Sequence, residues 1–104
     1  MAAQELFESI VAAHAGESSI TTSKMFGSPG LKVDGKVFAM LVKGKLVVKL
    51  PQARVEALLA SGDGAPFDPG HGRISKAWVA IEPRLEQAWP GLVVEARDFV
   101  AAGR

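Results

Sequence analysis

Two short glycine-bearing steps, Asp34-Gly35 and Lys43-Gly44, constrain this chain more than anything else in it. The tightest antiparallel connections need positive φ at their central residues, which glycine adopts without a Cβ clash, so each step reads as a two-residue hairpin loop. The register then follows: Val33 opposes Lys36, Val42 opposes Lys45 and Leu41 opposes Leu46, giving a three-strand meander over residues 31–50. Strict alternation puts Val37, Ala39, Leu41, Leu46, Val48 and Leu50 on one apolar face, with Lys32 as its charged neighbour, and predicts that helices lie against it. The other face carries Leu31, Val33, Lys36, Phe38, Met40, Val42, Lys45, Val47 and Lys49, a mixture too apolar for water and too charged for a core. Its centre needs a cover. The apolar stripe of the last helix is the expected one, with the lysines as a rim, and a second subunit in a homodimer is the alternative.

The remaining elements follow from periodicity and punctuation. Leu6, Phe7, Ile10, Val11 and His14 recur on one helical face over residues 2–14, with Gly16 as the stop. The hydroxyl-rich run from Ser18 to Ser23 reads as a loop entering a first strand. Gly27 and Gly30 are expected to allow a tight bend between Phe26 and Leu31. Arg54 to Ala60 forms a short helix capped by Gly62, and the glycines and prolines of residues 62–72 predict a loop. Ile74 to Ile81 resumes as a strand and Pro83 to Trp89 makes a short helix. Pro90 suits the first turn of a closing helix with Leu92, Ala96, Phe99 and Val100 buried. The fold class expected is α+β, an antiparallel sheet with a central meander packed against N-terminal, middle and C-terminal helices, all one domain over residues 1–104.

Composition narrows the functional classes. With 48% hydrophobic and 22% charged residues and a net charge of +1, the chain is neither disordered nor membranous in character. Its longest apolar run, Val37 to Val42, is far short of the roughly 20 residues that cross a bilayer as a helix. The absence of cysteine excludes thiolate chemistry and suits a reducing compartment, so the expected location is the cytoplasm. The near-neutral total conceals segregation. Residues 24–54 hold seven basic residues and one acidic residue, a charge of +6, while the rest hold five basic and ten acidic residues, −5. The pI of about 8.1 lies below the range above roughly 9 that is common in nucleic-acid-binding domains, but a local basic face is compatible with it.

Tests for chemistry return little. Gly30, Gly35 and Lys36 have the spacing of a phosphate-binding loop, yet Val37 stands where a hydroxyl would hold magnesium and a strand follows where a helix is required. Gly70-His71-Gly72 lacks a third glycine and also precedes a strand. Two histidines are too few for a histidine-rich metal site. His71 beside Asp68 has the elements of acid–base chemistry without rigid support, and His14 reads as a helix-end residue. Trp78 and Trp89 sit in apolar patterns where a large aromatic completes a core. No catalytic residue, metal ligand or cofactor-binding residue is therefore assigned.

The string KMFGSPGLKVDGKVFAMLVKGKLVVKL, residues 24–50, resembles the signature of TfoX amino-terminal domains. It holds Met25-Phe26-Gly27, Gly30, the Asp34-Gly35-Lys36 hairpin, Phe38-Ala39 and the Val48-Lys49-Leu50 ending. Pro66-Phe67, Lys76 to Val79 and Ala96 to Ala101 resemble later family segments. Ser75 and Ala77 depart from it, standing where methionine and glutamate are common. The resemblance implies an α+β fold related to YjbR-like domains and a regulatory binding role, and it brings no catalytic residues. Full-length competence regulators of this family carry a further carboxy-terminal domain with no counterpart in these 104 residues, so the competence role does not transfer automatically.

Three functions follow in order: a regulatory or interaction domain that binds a macromolecule, a protein partner first, through Lys36, Lys45 and Lys49; direct DNA or RNA binding through the same lysines; and a small-molecule site or enzyme built on the His71 loop. No membrane contact is expected.

Overall fold

Residues 3–25, 28–67 and 75–102 are described by the structure, a computed structural model. The chain runs α1 (Ala3–Ala13), β1 (Ile20–Met25), β2 (Ser28–Val33), β3 (Lys36–Val42), β4 (Lys45–Lys49), α2 (Gln52–Ser61), β5 (Gly64–Phe67), β6 (Ser75–Ile81), a 3-10 segment (Pro83–Ala88) and α3 (Trp89–Ala102). All strands join one antiparallel sheet in the order β1-β2-β3-β4-β6-β5. The expected α+β class holds, and the meander proves to be the centre of a wider sheet. Ile20–Met25 pairs with β2 along its length, so most of the hydroxyl-rich run is strand. Gly64–Phe67, expected as loop, is an edge strand on β6.

Both glycine steps make their turns as expected. Asp34 and Gly35 have φ of 52° and 82°, and Lys43 and Gly44 have 51° and 79°, the positive pair that matches the twist of the flanking strands. Gly30, expected at a bend, lies inside β2 and pairs with Ser23 on one side and Met40 on the other. Phe26 and Gly27 lie outside the described residues.

The helices pack on one side of the sheet. α3 lies on β2, β3 and β4, while α2 lies on β5 and β6. The stripe Trp89, Leu92, Val93, Ala96 and Val100 is buried against the sheet, as are Phe7 and Ile10 from α1 and Val55 and Leu58 from α2. Gly64 is required where α2 meets the sheet edge, since a Cβ there would stand 2.5 Å from a Val79 methyl and 3.2 Å from the Leu58 Cβ.

A β-bulge corrects the expected division of faces. Lys32 pairs with Val37 and Leu31 with Ala39, so Phe38 has no partner on β2. The extra residue turns Phe38 and Ala39 toward the same side. Leu31, Val33 and Phe38, assigned by alternation to the mixed face, therefore join Ala39, Leu41, Leu46 and Val48 in the core beneath the helices. Val37 and Lys32 move to the opposite face. The physical reason is a conflict of parity: two sets of large apolar residues, out of phase along β3, both find space under the helices only if one residue is skipped.

Candidate interaction surface

The side of the sheet turned away from the helices carries a second apolar cluster. Met40, Val47 and Ala80 are buried at its centre, and half-buried Val37, Val42, Ala65, Phe67 and Trp78 pack around them. Among the described residues no helix contributes to it. The C-terminal helix expected to cover this face lies on the other one, because its stripe meets the larger apolar surface completed by the bulge. What closes over Val47 from the described residues is the ring of its own neighbours.

Lysines stand among that ring. Register sets Lys45 beside Val42 and Lys49 beside Trp78, on the same side as Met40 and Val47. Lys32, opposite Val37, is the third. Lys36 belongs elsewhere: it pairs with Val33, which is buried in the helix-covered core, so it stands exposed at the hairpin on the helix side. Of the three lysines singled out from sequence, Lys45 and Lys49 share a surface and Lys36 does not. Lys32 was missed because the bulge that moves it has no signal in alternation. Lys45 lies 3.1 Å from the Glu82 carboxylate, whereas Lys32 and Lys49 have no ion-pair partner among the described residues.

The other sequence candidates resolve into structural roles or fall outside view. His71 and its loop lie outside the described residues. His14 is buried at the end of α1, its Nδ1 2.7 Å from Glu17 Oε2, and the other Glu17 oxygen accepts a hydrogen bond from Arg97 Nη1 of α3. The hydrogen bond from His14 and the nearby Arg97 charge hold the Glu17 carboxyl below its ordinary pKa, against a smaller desolvation effect in the other direction. This cluster ties the α1–β1 connection to α3. Trp89 is buried in the main core with its indole N–H donating to the Glu82 carbonyl at 3.3 Å, while Trp78 is half-buried on the helix-free face.

A groove of about 460 Å³ lies between α2 and α3, floored by Leu58, Ile81 and Leu92. Arg54 spans it, donating to both Glu95 carboxylate oxygens at 2.9 and 3.2 Å, and this pairing raises the Arg54 pKa further. Its other polar side chains, Ser61 and Asp63, are paired with each other, the Ser61 hydroxyl donating to the Asp63 carboxylate at 3.0 Å. Among the described residues no three His, Asp or Glu side chains converge as a metal site would require. No helix among them is long and apolar enough to cross a membrane.

A six-stranded antiparallel sheet with helices on one side and a smaller, lysine-flanked apolar cluster on the other defines the class of molecule, an α+β domain in which the described residues place all the helices on one sheet face. The chain belongs to the TfoX N-terminal domain family, whose pattern it matches over residues 12–98. No curated protein matches it.

Proposed function

We propose that this chain is a regulatory or interaction domain that works by binding a macromolecule through the helix-free sheet face, without catalysis of its own. The observation that carries this is the half-buried ring of Val37, Val42, Phe67 and Trp78 around buried Met40, Val47 and Ala80, on the side of the sheet where the described residues place no helix, flanked by Lys32, Lys45 and Lys49. Aromatic and Met side chains beside depleted acidic charge are typical of interface centres. Membership of the TfoX N-terminal domain family supports a regulatory setting. A cytoplasmic location and a link to competence belong to the same proposal.

A protein partner is favoured over nucleic acid by charge arithmetic. Among the described residues only Lys32 and Lys49 are without an ion-pair partner on this face, so a duplex bound to these two would have about two phosphates neutralised. Its log-log salt slope would be roughly −1.8, against the six to ten contacts of typical DNA-binding proteins.

The test is affinity capture from native cell extract, with and without nuclease, using wild type, Lys32→Glu/Lys49→Glu and Lys36→Glu. Lys36 lies on the other side of the sheet and serves as the internal control. The expected result is a nuclease-resistant partner that the double variant loses and Lys36→Glu keeps. A folded double variant that retains every wild-type partner would exclude the face. Loss of the partner on nuclease treatment would favour nucleic acid.

A further inference from the structure

We infer that the outer edge of β1 is a pairing surface for a second copy of this chain, the two β1 strands meeting antiparallel with Thr22 on the two-fold axis. The ground for this is backbone hydrogen bonding, independent of the helix-free face. β1 stands at one end of the strand order and pairs with β2 over Ile20–Met25 in an unbroken register. The Asp34 N–H donates to the Ser19 carbonyl at 3.0 Å, which continues that register and fixes its phase. Hydrogen-bonded pairs alternate with non-bonded ones in an antiparallel ladder, so Thr21–Lys32 and Ser23–Gly30 bond across it. The N–H and C=O groups of Ile20, Thr22 and Lys24 then point away from β2. The Ile20 N–H is already used, donating to the Glu17 carbonyl at 3.1 Å, but among the described residues nothing answers the outward groups of Thr22. Thr21 and Thr22 alternate between the two faces of the sheet and are both exposed, so no described element overhangs the middle of the strand.

The two edges of the sheet are finished differently. β5 has four residues, contains Pro66, is bulged beside Phe67 and lies against α2, and each of these hinders strand addition. β1 has six residues, no proline and no register shift, with β-branched Ile20, Thr21 and Thr22 favouring extended backbone. One open edge per chain selects the occupant. Head-to-tail addition of β1 to β5 would propagate without closing and meets the blocked edge, whereas β1 against β1 consumes both open edges and stops at a pair.

Register follows from the same groups. With the axis at Thr22, the two copies of that residue exchange N–H to C=O bonds, and the Lys24 N–H of each copy meets the Ile20 carbonyl of the other. Thr22 stands opposite Thr22, a favourable cross-strand pair. An axis nearer Ile20 meets the N–H that Glu17 occupies. An axis nearer Lys24 brings like charges together. The two-fold axis is normal to the sheet, so the helices of both copies stay on one side and their lysine-flanked clusters lie side by side on the other, offering a partner two contacts at once.

The test is sedimentation equilibrium of the full chain across about a hundredfold range of concentration, with ¹⁵N amide spectra over the same range. Wild type should show a monomer–dimer equilibrium in which the Thr22 and Lys24 amides shift and gain protection from exchange as concentration rises. Thr22→Pro removes an outward N–H and no bond to β2, so association should weaken by roughly tenfold or more. Thr22→Lys leaves every backbone group in place and sets like charges across the axis, so it should also favour monomer; it carries the test if circular dichroism shows Thr22→Pro unfolded. A wild-type chain monomeric at every concentration, a dimer unchanged by Thr22→Lys, or concentration-dependent shifts centred on Met40 and Val47 or on α2 and α3 would each overturn the β1 pairing.

Discussion

Glycine positions in this chain carry different constraints that only neighbouring atoms distinguish. At Gly35, φ of 82° places any other residue in the left-handed region, with open space around the missing side chain. Gly35→Ala should therefore cost about 1 kcal/mol through backbone strain alone. Gly64 has no positive φ, but its absent Cβ would clash with Val79 and crowd Leu58, so Gly64→Ala should cost about 1–3 kcal/mol by overpacking. Gly16, with neither constraint, should accept Ala with little change. Urea melts of the three variants give this ranking directly, and an unchanged midpoint for Gly64→Ala would contradict the described packing of α2 on the sheet edge. Glu17 sets a residue-scale pH dependence. Its pKa is depressed in the folded chain by His14 and Arg97, so its contribution to stability is present above the ordinary carboxylate pKa and is lost as pH falls through the lowered folded value. The melting temperature of wild type should exceed that of Glu17→Gln at pH 7, and the gap should narrow on acidification below about pH 4.5. A gap that stays constant to pH 3 would remove the carboxylate from this role.

At the scale of the element, β3 is the strand in which pattern and packing disagree. Alternation from the Asp34-Gly35 turn puts Val37 under the helices and Phe38 on the far side; the bulge reverses them, leaving Phe38 fully buried in the main core and Val37 half-buried on the other face. The two arrangements predict opposite mutational costs. With the bulge, Phe38→Ala should destabilise by about 3–5 kcal/mol, as for other buried aromatics, and Val37→Ala by about 1 kcal/mol or less, given its partial exposure. Equilibrium unfolding of both variants decides the matter, and a larger loss for Val37→Ala would return the strand to plain alternation. The bulge is also what brings Lys32 to the same surface as Lys49.

For the whole molecule, the two faces of one sheet are finished differently. Three helices complete the larger core on one side, and the smaller cluster on the other is enclosed by half-buried neighbours with lysines between them. The tryptophans report on the two sides. Trp89 is fully buried under the helices and should resist acrylamide quenching, whereas Trp78 should be quenched. Trp78→Phe and Trp89→Phe separate the signals. Protection of Trp78 alone when a partner binds would locate that partner on the helix-free face; protection of neither would place it elsewhere.

Turn positions, the register of the meander, the helical stripes and the α+β class were legible in the residues themselves, because each depends on local φ preference or on a short apolar period. The family was legible too, from the resemblance carried by residues 24–50, and its match extends over residues 12–98. Sheet order, the strand status of Gly64–Phe67, the bulge at Phe38 and the side of the sheet that the last helix covers were decided by the tertiary structure. These depend on which large side chains can share one enclosed volume. Lys45 and Lys49 were placed on a common surface by counting alternate residues from a turn. Lys36 was separated from them, and Lys32 joined to them, only where packing Phe38 beneath α3 broke the count.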